Sequence, residues 1–504
     1  MNKSTIQTLI DKVIGKKGLI RVPSWWMRKV LMQIADWVQE GNDANNEKIV
    51  KVKEEADDKI VKAETEADNK ITTLDNSIKE ALVELKKSLH TQRCFIVKTE
   101  AAGYVIVDGV KQDIPANTQK VVAFADTFGF SKSSISNAGL IFIGLTVTDT
   151  SSMTDMNSMF ANCGGLLSLD LTGLDTSVVT NMASMFYKCW QLKSLDLSSF
   201  DTSKVTNMSE MFKGCTYLNS LNITGFDTSS VTLMTNMFSD CGCLTSIDLS
   251  SFNTSLVTNM SRMFDGCYVL ESLNLSSFNT SAVTGMSRMF FDCHSFISLD
   301  LSNFDTSAVP SMNGMFGYCH SLISLDLSSF DTSSVTDMHY MFSCCYALES
   351  LNLSSFNTSN VTDMSDMFYY CRSLISLDFS SFNTSSVTTM KSMFEGCSKL
   401  TSLDLSGFDT SAVTNMSYMF QECSGLTSLI LGPNFFKAPN VTSIDFSYCS
   451  KWTNNTVVTS LVTNSYDRAT AGLKTMTLKL SANTKAALTN EQKAAITAKG
   501  YTIA

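Results

Sequence analysis

Residues 189–215 read CWQLKSLDLSSFDTSKVTNMSEMFKGC, and the cysteines at the two ends of this stretch are 26 residues apart. The same spacing continues in both directions without an insertion or a deletion. A fixed period between 20 and 50 residues is typical of a solenoid, in which each repeat buries its apolar face against its neighbours. Twelve cysteines follow this period, namely Cys163, Cys189, Cys215, Cys241, Cys267, Cys293, Cys319, Cys345, Cys371, Cys397, Cys423 and Cys449.

Charge is distributed unevenly along the 504 residues, whose formal net charge is −10. Residues 140–449 contain 10 lysines and arginines against 27 aspartates and glutamates, a balance of −17. The rest of the chain contains 28 against 21, a balance of +7. Because phosphate contacts need lysine and arginine, the acidic repeats do not favour nucleic-acid binding.

The cysteines allow a disulfide framework, a metal site or a buried core ladder. Ten of the twelve periodic cysteines lie in the same MFxxCxxL context, and Cys293 and Cys449 lie in the related stretches MFFDCHSF and DFSYCSKW. Repeated small apolar positions of this kind favour a core ladder over disulfides or metal ligands. Cys94, Cys243 and Cys344 are out of register, and they are the better candidates for reactive thiols.

The N-terminal residues 1–41 predict two short amphipathic helices separated near Pro23. They contain no continuous apolar segment of a secretory signal, and no later segment is apolar enough to span a membrane. The large apolar side chains of this region would be costly on a lone solvated helix, so we expect them to anchor the chain on a partner protein or on sister chains. The anchoring candidates are Trp25, Trp26 and Trp37.

Residues 42–91 carry an 11-residue repeat, whose apolar spacing averages about 3.67 residues and is typical of a straight or right-handed coiled-coil stalk. A single helix with so narrow an apolar stripe is marginally stable, so self-association is expected. We predict a homotrimer, while two and four chains remain open. The predicted oligomerisation residues are Ile49, Val52, Ile60, Ile71, Leu74, Ile78, Leu82, Leu85 and Leu89.

Three further regions complete the predicted organisation. Residues 92–139 resemble short strands of a small β collar, with a hairpin turn at Asp108-Gly109. Residues 140–449 form the repeat array, in which LxxLxL predicts a strand starting with Leu140 and VTNMSxMFxxC has the apolar spacing of a short helix. The array is therefore expected to be an α/β solenoid of 26-residue units with a parallel sheet. Residues 450–504 lose the period and predict an α/β cap.

The repeat MFxGCxxLxSLDLSSFDTSxVTNMSxMF resembles the BspA-like leucine-rich repeats of surface proteins. That resemblance covers residues 140–449 and implies a leucine-rich-repeat solenoid used for adhesion or ligand binding. The layout of anchor helices, stalk, collar and repeat head resembles a fibre protein of a tailed phage, as does the ending ALTNEQKAAITAKGYTIA. Phage fibres are commonly trimers released by lysis, which agrees with the missing signal.

These resemblances predict a non-enzymatic protein at the virion surface. Residues 1–41 would bind another virion protein, and the solenoid would bind a host surface protein or glycan, without membrane insertion. A bacterial cell-surface adhesin and a purely structural virion decoration are the alternatives. No catalytic motif and no cofactor or metal motif is evident, since only four histidines exist and no closed four-ligand set accompanies them.

Comparison of the copies within the chain separates constant columns, which build the solenoid, from variable columns, which are free to recognise a ligand. The variable columns lie in the predicted helix and just after it, and they hold aromatic residues, histidine and arginine, which often anchor interfaces and stack on sugars. Neutral drift on a solvated surface is the alternative. The candidate ligand-binding residues are Trp190, Tyr217, Tyr268, Phe291, His294, Tyr318, His320, Tyr340, Tyr346, Tyr369, Tyr370 and Arg372.

Aspartate and asparagine also recur in register, as at Asp300 and Asp326. Stacked carboxylates about 4.8 Å apart repel one another, so these columns need calcium or a hydrogen-bonded ladder with serine and threonine. The ladder is the favoured interpretation.

Overall fold

In a computed structural model of the chain, the described residues are 153–504, without 168, 170, 172, 173 and 453, together with the backbone of five strands between residues 94 and 146. These residues belong to one compact unit, Thr91–Ala504. The predicted anchor (residues 1–41) and stalk (residues 42–91), with their tryptophans and oligomerisation residues, lie outside the described residues and stay predictions.

The first five strands are β1 (Cys94–Thr99), β2 (Gly103–Val107), β3 (Val110–Ile114), β4 (Gln119–Ala123) and β5 (Leu140–Thr146). β2 and β3 pair antiparallel, and β1 pairs antiparallel with both β4 and β5. Residue 140 was expected to begin the parallel array. Instead, β1 lies beside β5 as an antiparallel partner, so this strand belongs to the sheet of the small β module.

The repeats form a solenoid of 26-residue coils joined by parallel backbone pairing. β6 (Ser194–Asp196) pairs with β7 (Ser220–Asn222), and β8 (Ser376–Leu377), β9 (Ser402–Leu405) and β10 (Ser428–Leu431) form a second run. The register joins residues 26 apart, such as Leu403 with Leu429. A second parallel bridge repeats on the other part of the coil, as between Asn181 and Asn207.

The predicted helix in each repeat is wrong. In its place, N–H groups alternate between two acceptors: the Met208 N–H donates to the Leu233 carbonyl of the next coil at 3.0 Å, whereas the Met211 N–H donates to the Met208 carbonyl at 3.3 Å. Glu210 and Gly214 have φ of 59° and 76°, which an α-helix does not contain. This chain of tight turns satisfies the backbone partly through the neighbouring coil. Within the described part of residues 153–449 the helical structure is one 3-10 turn, Pro433–Phe436.

Apolar ladders fill the interior of the solenoid, as the constant columns predict. Phenylalanine rings from Phe160 to Phe420 stack coil upon coil, with centroids 5.5–6.1 Å apart and planes within 19°. The periodic cysteines are buried free thiols beside this ladder. Each from Cys189 to Cys423 donates a hydrogen bond to a phenylalanine carbonyl 29 residues earlier, at 3.0–3.2 Å. The core interpretation of the cysteines is confirmed.

The C-terminal segment covers the end of the solenoid. Its elements are β11 (Ser443–Phe446), α1 (Asn454–Val458) continued by a π-helical turn (Thr459–Thr463), β12 (Met476–Leu480), α2 (Ala482–Ala487), α3 (Asn490–Ala498) and β13 (Tyr501–Ile503). β11, β12 and β13 form a parallel sheet. Ser460 and Trp452 both donate to the Leu429 carbonyl of β10, at 3.0 and 3.1 Å. The cap therefore supplies hydrogen-bond partners to the exposed edge of the last strand of the array at Leu429.

Candidate binding site

The position immediately after each periodic cysteine forms a surface column on the solenoid. Because the cysteine side chain points into the core, the next side chain is directed to the surface, where its neighbours are the same positions of adjacent coils. Six of the twelve coils place a small residue there, whereas the coil of Trp190 and five consecutive coils in the middle of the array place a large one. In chain order the column holds Gly164, Trp190, Thr216, Gly242, Tyr268, His294, His320, Tyr346, Arg372, Ser398, Ser424 and Ser450.

Five consecutive members of this column touch one another in series, and we call them the Tyr268–Arg372 stack. The rings of Tyr268 and His294 have centroids 5.2 Å apart, and those of His294 and His320 are 4.1 Å apart. Tyr346 follows at 4.5 Å from His320, and the Arg372 guanidinium lies 5.0 Å from the Tyr346 ring. A continuous strip of hydrogen-bonding ring edges thus crosses five coils.

Neighbouring columns widen this strip on the side before the cysteine. Tyr318 lies 5.1 Å from Phe291 and 6.0 Å from His320, measured between ring centroids. At the other end, the Arg372 guanidinium is also 4.9 Å from the ring of Tyr370, which packs against Tyr369 at 4.6 Å. The structure therefore brings together nine of the twelve predicted residues: Tyr268, Phe291, His294, Tyr318, His320, Tyr346, Tyr369, Tyr370 and Arg372.

The other three predicted residues lie apart from the stack. Trp190 is 52% exposed and lies over Gly164, where an added Cβ would come 1.5 Å from the indole nitrogen. Thr216 and Gly242 separate it from Tyr268 along the column. Tyr217 sits beside Trp190 and donates its N–H to the Trp190 carbonyl. Tyr340 packs against His339, with ring centroids 3.9 Å apart, in a different column.

Burial controls the protonation of the site. It raises the pKa of Tyr268, Tyr346 and Tyr369 to about 12, so these phenols remain neutral hydrogen-bond donors at physiological pH. The carboxylate of Asp292 lies 2.5 Å from Nε2 of His294. Partial burial also raises the pKa of Asp265 to about 6, against the opposing effect of Arg262.

Three exposed isoleucines adjoin the stack and were missed by the sequence analysis. Ile297, Ile323 and Ile375 are 60%, 44% and 51% exposed, and each lies three residues after a member of the stack. The sequence signal for them is aliphatic residues in a column that is polar in seven other coils, at Lys193, Asn219, Thr245, Glu271, Glu349, Thr401 and Thr427. In the first coil the same position is Leu167, which is buried.

The aspartate and asparagine columns form hydrogen-bonded turns. Asp300 accepts the N–H of Ser302 at 3.1 Å, and Asp326 accepts that of Ser328 at 2.9 Å. Hydrogen bonds from the side chain and N–H of Ser302 hold the pKa of Asp300 below the usual range, and those from the N–H and side chain of Ser328 do the same for Asp326. In the described part of the chain, no group of three or more histidine, cysteine, aspartate or glutamate residues is placed to hold a metal ion.

Two of the three out-of-register cysteines are less available than predicted. Cys344 is 3% exposed, and its N–H donates to the carbonyl of Tyr369, a residue of the strip, at 2.6 Å. Cys243 is half-buried, and burial raises the pKa of its thiol. For Cys94 the backbone alone is described. Reduced ionisation makes Cys243 a slower nucleophile than a free cysteine.

The array matches a family described as "Mycoplasma protein of unknown function, DUF285". The matches cover residues 130–246, 209–323, 244–351, 297–378 and 344–458, and together they span more than half of the chain. Comparison with curated proteins finds no significantly similar sequence. None of the helices among the described residues is long and apolar enough to cross a bilayer.

Two solved structures are similar over part of the chain. One, described as "Crystal structure of TLR13-ssRNA13 complex", is 18% identical with a TM-score of 0.22 and covers 61% of this chain. This chain spans 38% of the length of that protein. The other, a Leptospira interrogans LRR protein, is 14% identical with a TM-score of 0.20 and covers 58% of this chain and 87% of its own. By its sequence matches, the chain belongs to the family described as Mycoplasma protein of unknown function, DUF285.

Proposed function

We propose that this chain is a non-enzymatic adhesion protein whose solenoid binds a surface ligand, a protein or a glycan, through the Tyr268–Arg372 stack and its neighbours. The observation that carries the proposal is the contrast within one column. Coils after Arg372 place serine next to the cysteine, whereas five coils in a row place tyrosine, histidine or arginine there. The fold itself tolerates serine at this position, so the large residues are not needed for packing.

The properties of the strip support binding. Exposed apolar groups beside aromatic residues and arginine are the usual anchors of interfaces. Arg372 is held between the rings of Tyr346 and Tyr370, which restricts its motion before a ligand arrives. Fixed side chains lose less conformational entropy on binding than mobile ones do.

We propose a virion fibre of a tailed phage as the setting of this adhesion, on the layout of the sequence, and a bacterial cell-surface adhesin as the alternative. A purely structural virion decoration would need no ligand strip. Mass spectrometry of purified phage particles and of bacterial outer-membrane fractions distinguishes the settings. Detection among the virion proteins supports the fibre, and detection in the membrane fraction alone overturns it.

The adhesion itself is tested with the triple variant Tyr346→Ser, Tyr369→Ser, Tyr370→Ser in the full chain. Binding of the fluorescent protein to bacterial cells and to animal epithelial cells is measured by flow cytometry. We expect at least a ten-fold loss of binding to the cell type that the parent protein recognises. The matched control is Tyr418→Ser with Tyr448→Ser, because these tyrosines are 56% and 45% exposed and lie outside the strip. Unchanged binding of the triple variant would falsify the proposal.

A further inference from the structure

Three parallel columns run side by side across the coils that contain the Tyr268–Arg372 stack. The stack is the first, and the isoleucine column is the second. Backbone bonds fix the spacing of the second column: the Ile323 N–H donates to the Ile297 carbonyl at 3.1 Å, and the Ile375 N–H donates to the Glu349 carbonyl at 3.4 Å. Coils held in this way place successive isoleucines about 4.8 Å apart, or twice that across Glu349.

The third column is acidic and lies three residues further along each coil. It consists of Asp300, Asp326 and Asp378, all exposed. Hydrogen bonds from Ser302, Ser328 and Ser380 lower the pKa values of these carboxyls, so they stay charged at physiological pH. The sequence has no lysine or arginine between Arg288 and Arg372. The isoleucines therefore face the surroundings beside an uncompensated negative edge.

The three inner rings of the stack do not present their faces in the way that a sugar needs. His294 and His320 are stacked with an interplanar angle of 19°, and His320 and Tyr346 with one of 11°. Each of these rings covers the face of the next. Sugars bind aromatic residues through exposed ring faces, and aliphatic isoleucines add nothing to that contact. A protein partner instead gains from burying isoleucine.

We infer that the ligand is a protein surface in which apolar side chains alternate with lysine or arginine. Resting on the proposed adhesion function, this inference names the class of partner. The apolar side chains of the partner pack on Ile297, Ile323 and Ile375, and its cationic groups lie over Asp300, Asp326 and Asp378. Opposite charges at the edge of an apolar contact favour association and fix its register.

The chain supplies its own fold-compatible variants for the test. Threonine occupies the isoleucine column at Thr245, Thr401 and Thr427, so Ile297→Thr, Ile323→Thr and Ile375→Thr form the first triple. Asparagine occupies the aspartate column at Asn222, Asn274 and Asn352, so Asp300→Asn, Asp326→Asn and Asp378→Asn form the second. The matched control removes the same number of charges three to four coils before Asp300, with Asp196→Asn, Asp201→Asn and Asp227→Asn, and asparagine occupies these columns at Asn222 and Asn253.

The probes are a 14-residue amphipathic peptide of leucine and lysine, the same peptide with glutamate for lysine, and a panel of immobilised glycans. Fluorescence polarisation with the full chain measures the peptide affinities. We expect the lysine peptide to bind at least ten-fold more tightly than the glutamate peptide. The isoleucine triple variant and the aspartate triple variant should each weaken binding of the lysine peptide at least ten-fold. The control triple variant should change this affinity less than two-fold.

Two results overturn the inference. One is that the lysine peptide does not bind the parent protein, or that the control triple variant weakens its binding as much as the site variants do. The other is that the protein binds a glycan, that the isoleucine triple variant binds it equally well, and that the Tyr346→Ser, Tyr369→Ser, Tyr370→Ser variant does not bind it. This result would leave the adhesion function intact. Failure of the adhesion function would show separately, as cell binding that the tyrosine triple does not reduce.

Discussion

The hydroxyl of Thr332 makes two hydrogen bonds to the same residue of the next coil. It donates to the carbonyl of Asn357 at 2.9 Å and accepts the backbone N–H of Asn357 at 2.8 Å. Thr332 is fully buried. Equivalent threonines make the same two bonds in other coils, as Thr254 does with Asn279 and Thr358 with Asn383. The Thr306 hydroxyl donates to the Asp331 carbonyl in the same way. The buried threonines therefore join the coils where strand pairing does not reach.

Replacing Thr332 by valine keeps the shape of the side chain and removes both of these hydrogen bonds. The N–H and carbonyl of Asn357 then lose their partner in a partly buried place, which costs about 2 kcal/mol of unfolding free energy. Thermal unfolding followed by circular dichroism should show a lower midpoint for Thr332→Val. Thr332→Ser retains the hydroxyl and should unfold closer to the parent protein. Equal midpoints for valine and parent would contradict this account.

Arg468 fastens the cap through carbonyl groups. Its side chain is fully buried and donates to the carbonyls of Phe436, Ala438 and Lys474 at 2.8–2.9 Å and to that of Val441 at 3.4 Å. Arg468→Met leaves these acceptors unsatisfied, and we expect a loss of about 3 kcal/mol. In limited proteolysis of this variant, the C-terminal segment should be cleaved at earlier times than the array. Arg468→Lys should be intermediate, because one ammonium group cannot reach all four carbonyls.

Asp265 makes the stability depend on pH. Its folded pKa of about 6 lies above the usual value near 4, because burial disfavours the carboxylate. Between these two values the folded state binds more protons than the unfolded state, so stability should fall as pH rises from 4 to 6 and then level off.

The melting midpoint of the parent protein, measured at pH 4, 5, 6 and 7, checks the direction of this dependence. Asp265→Asn cannot ionise, and it should flatten this part of the curve and raise stability at pH 7 by on the order of 1 kcal/mol. A parent and a variant with parallel curves would exclude Asp265 as the cause.

The periodic thiols should be unreactive in the folded protein. Burial raises the pKa of Cys215, Cys319 and Cys397 to about 12, and the reactive species is the thiolate. Iodoacetamide at pH 8 followed by peptide mass spectrometry should leave the periodic cysteines unmodified and modify Cys243 slowly. In denaturant all of them should react. Rapid modification of Cys319 without denaturant would show that the core opens.

The period and the core could be predicted because they rest on spacing alone. Every inward column repeats after 26 residues, and a buried residue such as Met208 or Phe212 must meet its copy in the next coil. The helix could not be predicted in the same way. Apolar residues at Val205, Met208, Met211 and Cys215 fit one face of a helix, and they fit equally a chain of turns whose every second N–H bonds to the next coil.

The sequence does contain a signal against the helix, namely glycine at a position where the backbone is left-handed. Glycine recurs immediately before the periodic cysteine, at Gly214, Gly266 and Gly396, and each of these residues has a positive φ. A left-handed residue in every coil breaks a helix.

The aromatic strip was predictable from variation between copies. Which of its residues touch was not, because contact depends on the exact neighbours in adjacent coils, such as Thr216 and Gly242, which separate Trp190 from Tyr268.

The bonds between coils should allow this solenoid to change its length by whole repeats. Because residue i bonds to residues 25 or 26 positions away, a duplicated or deleted block of 26 residues would meet the same donors and acceptors as before. The stack would gain or lose one step of about 4.8 Å. Gain or loss of a whole repeat would therefore resize the recognition surface in whole coils, while the ends of the array keep their own partners.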